Sequence, residues 1–113
     1  MEQDGDRPVA YDIEVVVRPG AAHVSQIEIR GSTPRAVLRI VGEATPTQRM
    51  SMVVAVDETL PGGIDSDDDS LIALCAVLVD LGVGAIATRR PVIARRAFAM
   101  QAAIQAGSVE AIS

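Results

Sequence analysis

One stretch decides the fold, and it comprises residues 50–107, MSMVVAVDETLPGGIDSDDDSLIALCAVLVDLGVGAIATRRPVIARRAFAMQAAIQAG. It begins with an apolar, β-branched run at 50–56 in which Ser51 is the only polar side chain. A run without polar alternation is typical of a strand covered on both faces. Residues 71–81 are apolar almost all round, which indicates a buried helix, and Gly82 directly after them suits its C-terminus.

The same stretch continues with a second strand and a second helix. Residues 83–88 are small and apolar around Ile86, which favours a strand that a helix can approach closely. Pro91 suits the first turn of the next helix, whose apolar positions recur at helical spacing as far as Gly107. Parallel strands joined by a helix cross over right-handedly, so we expect the carboxyl ends of both strands at one edge of the sheet.

The residues before this stretch predict an antiparallel meander. Apolar and polar residues alternate in residues 9–18 and 23–30, and residues 35–41 are apolar on both sides of a third expected strand, which favours the interior of the sheet. Turn residues separate them, and in the first segment Ile13, Val15 and Val17 are expected to face the core. The fold expected is therefore α+β: an N-terminal three-stranded antiparallel meander followed by a βαβα unit, in one mixed sheet with two helices on one face.

Length and charge limit the possible functions. The chain has 113 residues and a formal net charge of −5 at pH 7, and all ten basic residues are arginine. The length predicts a single domain at 9–107 between tails at 1–8 and 108–113. The use of arginine for every basic residue predicts a bacterial protein. An acidic chain is poorly suited to displacing counterions from phosphates, which argues against nucleic acid as a partner. Because no signal peptide or membrane span is recognisable, we expect a cytoplasmic protein with no membrane partner.

Few residues suggest catalysis or metal binding. Residues 65–69 alternate carboxylates as a calcium loop does, but Ser70 and Val77 replace its Gly and Glu, and the alternative is helix capping by Asp65 or Ser66. His23 is the single histidine, and Cys75 is the single cysteine, placed in the most apolar helix. Without a nucleophile and base pair, a metal set or a cofactor loop, the sequence leans against an enzyme and predicts no cofactor and no metal.

The most informative cluster lies where the two parallel strands are expected to end. A helix N-terminus attracts anions, and two arginines beside it would strengthen that attraction. Carboxylates across the crevice could bind a ligand or pair with the arginines, and both alternatives stay open. The candidate ligand-binding residues are Asp57, Glu58, Thr88, Arg89 and Arg90.

Residues 71–100, LIALCAVLVDLGVGAIATRRPVIARRAFAM, resemble the C-terminal helix, strand and helix of dihydropteroate synthase-like barrels. In that family an alanine-rich helix leads into a strand that ends in an arginine touching the ligand. Arg89 matches that arginine, while Arg90 and Pro91 stand where the family has its histidine. The resemblance implies a pocket for an anionic or pterin-like metabolite at the end of this strand.

The expected fold leaves apolar sheet surface without a cover, because one layer of helices shields one face only. We therefore predict a small non-catalytic binding or accessory protein that self-associates through this face as a homo-oligomer, with a dimer favoured. A charge at Val54 or Val37 is expected to break that assembly. The alternative is a small-molecule-binding protein or enzyme with its site at the strand ends, and another protein is also a possible partner.

Overall fold

A computed structural model describes residues 13–20 and 27–112, without the side chains of residue 64 and residues 107–112. The strands are β1 (Glu14–Val17), β2 (Ile27–Ile29), β3 (Met52–Ala55) and β4 (Ala85–Thr88). The helices are α1 (Pro34–Glu43), α2 (Pro46–Met50), α3 (Val56–Thr59), α4 (Asp68–Leu81) and α5 (Pro91–Ile112). The strands form one mixed sheet in the order β1-β4-β3-β2, so the predicted α+β class with a single mixed sheet is confirmed.

The third strand of the predicted meander is wrong, because residues 35–41 lie within helix α1. The side chain of Thr33 caps this helix by accepting a hydrogen bond from the backbone N–H of Ala36, and Pro34 follows in its first turn. Val37 and Val41 are fully buried, one helical turn apart. The burial of Val41 four residues after Val37 follows helical periodicity.

The pairing predicted for the first two strands is also wrong. Strand β2 pairs in parallel with β3, and helix α1 lies between them in the chain, as the crossover of a parallel pair requires. Strand β1 pairs antiparallel with β4, with Val16 opposite Ile86. Strand β4 also pairs in parallel with β3, so β2, β3 and β4 end at the same edge of the sheet. Of the predicted strand at 23–30, residues 23–26 lie outside the described residues.

The core lies between one face of the sheet and three helices, α1, α4 and α5, not the two predicted. On the sheet it is formed by Val16, Ile29, Met52, Val54 and Ile86. Val37 from α1, Leu78 from α4 and Phe98 from α5 are among the helix residues that pack against it. Each of these residues is less than a tenth exposed. Phe98 is the one aromatic side chain in the described core, so the stability of the core depends mainly on close packing of branched aliphatic side chains.

Strand β1 turns toward the core the face opposite to the one predicted. Val16 is buried in the core, whereas Ile13 and Val15 are each 51% exposed. The guanidinium of Arg18 lies 5.1 Å from the centre of the Phe98 ring and donates to the backbone carbonyl of Val83 at 3.0 Å. The partial burial of the Arg18 guanidinium in these contacts lowers its pKa. The contacts hold β1 with its Val16 side toward the helices and its Val15 side away from them.

Two helix ends differ from the prediction and one agrees with it. Helix α4 has Asp67 at its N-cap position, one residue beyond the two predicted caps. It ends at Gly82, as predicted, and the φ angle of 102° at this glycine explains the preference. Helix α5 continues through Gly107 as far as Ile112, so the helix end predicted at Gly107 is wrong.

Candidate functional site

The five predicted site residues lie near the carboxyl ends of β3 and β4. Asp57 and Glu58 belong to the short helix α3, which continues directly from β3. Thr88 is the last residue of β4, and Arg89 and Arg90 connect it to α5. The structure brings Asp57 into direct contact with Thr88 and Arg89, whereas Glu58 pairs with a residue that the sequence analysis did not select.

Asp57 is an internal hydrogen-bond acceptor. Its Oδ1 accepts from the Thr88 hydroxyl at 2.9 Å, and its Oδ2 accepts from the backbone N–H of Arg89 at 2.8 Å. The side chain is 6% exposed, and Thr88 is fully buried. Both carboxylate oxygens therefore join the end of β3 to the end of β4, and neither points toward solvent for a ligand.

Arg90 fixes the segment that precedes helix α4. Its Nη1 donates to the backbone carbonyl of Ser66 at 2.8 Å and to Oδ1 of Asp68 at 3.0 Å, and its Nη2 donates to the Ser66 hydroxyl at 2.9 Å. Its backbone N–H donates to the Thr88 hydroxyl at 3.0 Å. The guanidinium thus holds the start of α4 against the start of α5, which is the intramolecular alternative considered for this cluster.

Glu58 lies at the margin of the cluster and pairs with Arg30. The Nη2 of Arg30 is 2.8 Å from Oε2 of Glu58, and Arg30 directly follows strand β2. The hydrogen bond from Arg30 lowers the pKa of Glu58, and the charge of Arg89 acts in the same direction. Arg30 was not selected from the sequence, because the predicted antiparallel meander places it away from the edge where β3 and β4 end. Recognising β2 as parallel to β3 would have placed it at this edge.

A shallow depression of about 430 Å³ lies on the face of the sheet opposite the core. Its apolar floor consists of Ile13, Val15, Val53, Ala55 and Ala87, and its charged rim consists of Glu28, Arg30 and Glu58. We call these eight residues the open sheet face. The described helices α1, α4 and α5 place their buried side chains on the other side. Val54 and Val37 are fully buried in the core, so they were wrong choices for testing this surface.

The acidic run at 65–69 contributes to helix structure. Asp67 occupies the N-cap position of α4, and Asp68 accepts a hydrogen bond from Arg90. In the part of the chain that the structure describes, no three His, Cys, Asp or Glu side chains are grouped as metal ligands would be. None of the described helices has the length and hydropathy needed to span a bilayer. His23 lies outside the described residues.

Cys75 is expected to resist thiol reagents in the native protein. It is fully buried in α4, and this burial raises the pKa of its thiol to about 12. Since the thiolate is the nucleophile, only about one molecule in ten thousand would carry it at pH 8. Labelling with a chromogenic disulfide should therefore be slow in buffer and stoichiometric in denaturant. Rapid labelling of the native protein would contradict the packing of α4 described above.

Comparison of the chain with models of protein families, with curated proteins and with solved structures finds no match. The resemblance of residues 71–100 to dihydropteroate synthase-like barrels therefore stays a prediction. Functional inference depends on the geometry of the residues themselves. Two features of that geometry matter most: a polar cluster whose main groups bond to each other, and an apolar sheet surface on which Ile13 and Val15 are half exposed.

Proposed function

We propose that this protein is a non-catalytic binding subunit that self-associates as a homodimer through the open sheet face. The observation that carries the proposal is the half-exposure of Ile13 and Val15 next to Val53, on the side of the sheet away from the core helices. Contiguous exposed apolar surface in a small protein marks an interaction site more often than chance. The polar cluster at Asp57 and Arg90 offers less, because its hydrogen bonds are made within the chain.

The size of the surface sets the strength of the association. Four strands about 4.8 Å apart, each about four residues long at ~3.3 Å per residue, present roughly 250 Å² of sheet. A standard interface buries about 800 Å² on each partner, and smaller ones belong to weak, transient complexes. We therefore expect a reversible dimer that dissociates on dilution, with the two sheets packed face to face about 10 Å apart.

The charged rim suits a second copy of the same chain. Glu28 and Arg30 are both exposed and lie two residues apart, so they project on the same side of the sheet at its β2 edge. Across a two-fold axis, a patch must be complementary to itself. A rim with both signs satisfies this requirement, because Arg30 of one copy can approach Glu28 of the other.

A matched pair of variants tests the dimer. Val15→Glu places a charge on the open sheet face, whereas Val92→Glu places the same charge at a valine of similar exposure, 55%, on helix α5. We expect Val15→Glu to weaken self-association by at least about tenfold, since a buried charge costs over 1.4 kcal/mol in such a contact. Val92→Glu should behave as the parent chain does.

Light scattering after size-exclusion chromatography over a dilution series, with circular dichroism to confirm folding, provides the measurement. A parent chain that stays monomeric at the highest concentration would contradict the proposal. Equal association of Val15→Glu and the parent would contradict it as well.

A second candidate function has one observation in its favour. The depression of about 430 Å³ has the size of a small-molecule site, and Arg30 at its rim could bind the carboxylate or phosphate of an anionic, pterin-like metabolite. A thermal-shift screen of phosphorylated and carboxylated metabolites tests this candidate. Stabilisation that disappears in Arg30→Ala, while Val15→Glu leaves assembly unchanged, would favour the ligand over the dimer.

A further inference from the structure

A second apolar surface lies on the outer side of the helix layer, between α4 and α5. It is a groove of about 280 Å³, and its apolar lining comes from Ile72, Ala76, Ile93, Ala97, Met100 and Ile104. We call these six residues the helix groove. Ile72 is 48% exposed, Met100 63% and Ile104 59%, so the helix groove presents several large apolar side chains next to one another.

The two helices run in the same direction. Each follows one of two parallel strands, and the side-chain amide of Gln101 donates to Asp80 at 3.4 Å near the end of α4. Ala76 and Ala97, both small, line the same groove, with the larger Met100 one turn beyond Ala97. The surface therefore carries both a recess of small residues and a projecting side chain that could fill a matching recess.

The charges along the two helices have opposite signs. Helix α4 contains the acidic residues Asp68, Asp69 and Asp80 and no basic residue. Residues 91–106 of helix α5 contain Arg95 and Arg96 and no acidic residue. Arg96 lines the helix groove, and Asp69 lies three residues before Ile72, on the same side of its helix. The groove is thus bordered by negative charge on one side and positive charge on the other.

We propose that the helix groove docks the helix groove of a second copy of this chain. A two-fold axis parallel to the helices places α4 of each copy over α5 of the other, so that acidic and basic borders meet twice. Counted from the first residue of each helix, Arg96 lies about 6 Å further along α5 than Asp69 lies along α4, at 1.5 Å per residue. Arginine side chains tilt toward the helix N-terminus, which brings Arg96 of one copy within reach of the other copy's Asp69.

The helix groove and the open sheet face lie on opposite sides of the sheet-and-helix layers. The docking of grooves does not depend on the dimer proposed above, since the two surfaces share no residue. With both contacts present, the chain forms assemblies larger than a dimer. They close as tetramers if the two axes cross at a right angle and extend as open chains if the axes do not intersect.

Charge reversal tests the docking of the grooves. Arg96→Asp and Asp69→Arg each create two like-charge contacts, so each should weaken association roughly tenfold at low salt. The double variant Arg96→Asp/Asp69→Arg exchanges the borders and should restore association to within about threefold of the parent. Analytical ultracentrifugation measures all four chains, and circular dichroism confirms that they are folded. Single variants that associate as the parent does, or a double variant that stays weak, would overturn the proposal.

A second pair of variants separates the two surfaces. Met100→Glu charges the helix groove at a side chain that is 63% exposed, so the fold should tolerate it. It should remove one step of assembly, Val15→Glu should remove the other, and the combination should be monomeric. If Met100→Glu matches the parent while Val15→Glu does not, groove docking is wrong and the sheet dimer stands. If Val15→Glu matches the parent while Met100→Glu does not, the sheet dimer is wrong and groove docking stands.

Discussion

Gly84→Ala is expected to destabilise the fold by at least about 3 kcal/mol, the upper part of the range for overpacking. A Cβ atom at this position would lie 1.9 Å from the carbonyl oxygen of Met50 and 2.8 Å from its carbonyl carbon. These are backbone atoms, so no side-chain rotation relieves the overlap. Relief requires the end of helix α2 to move away from the start of β4, which is a central strand of the sheet.

The surrounding hydrogen bonds leave little room for that movement. The N–H of Gly84 donates to the carbonyl of Arg49 at 3.0 Å, and its carbonyl accepts from the N–H of Arg18 at 2.8 Å. Gly42→Ala is the matched control, because a Cβ there meets nothing within 4 Å and Gly42 lies in helix α1. It should be neutral or stabilising by up to about 1 kcal/mol. Urea denaturation followed by circular dichroism compares the two, and equal stabilities would contradict the close contact.

Helix α4, strand β4 and the start of helix α5 could be predicted because each signal in that part of the chain has one interpretation, whereas the short helices α2 and α3 were not predicted. The apolar run at 71–81 is too long for a strand and ends at a glycine, and Gly82 is the observed C-cap. The parallel arrangement of the two strands also predicts that Asp57 lies near Thr88, since parallel strands end at one edge, and the two side chains are hydrogen-bonded. Pattern and topology were sufficient for this part.

The first half of the chain could not be predicted because its pattern fits two structures. Residues 35–41 are apolar on both sides, as in an interior strand, and they also place Val37 and Val41 one helical turn apart. In β1, three consecutive valines offer an apolar side chain to either face, so the sequence does not choose between them. Tertiary contacts decide, namely the pairing of Val16 with Ile86 and the position of Arg18 above Phe98.

The sequence predicts that Asp57, Thr88, Arg89 and Arg90 lie near one another, but it does not predict how they bond. These four residues of the candidate site are joined through contacts that depend on the exact approach of α3 to β4, which no local pattern encodes. Ser66, which accepts two hydrogen bonds from Arg90, belonged to the predicted helix start. Whether a cluster of charged groups binds a ligand or supports the fold depends on such partners, and they become visible only in three dimensions.

Asp57→Ala gives the second large effect, and it distinguishes a structural carboxylate from a ligand-binding one. Removing the carboxylate leaves the buried Thr88 hydroxyl and the Arg89 N–H without this acceptor, at a cost of about 2–4 kcal/mol in unfolding free energy. The neighbouring Glu58→Ala is the matched control. Its carboxylate pairs with the exposed side chain of Arg30, and such surface pairs contribute little to stability.

Chemical denaturation of Asp57→Ala, Glu58→Ala and the parent separates the two roles of this cluster. A structural Asp57 predicts a large loss of stability in Asp57→Ala and a change near the error of measurement in Glu58→Ala. Asp57→Asn should fall between Asp57→Ala and the parent, because an amide keeps one acceptor for Thr88 but turns a donor toward the Arg89 N–H. If Asp57→Ala is as stable as the parent and instead loses stabilisation by an anionic metabolite, the carboxylate serves a ligand and the internal bonds described here do not hold in solution.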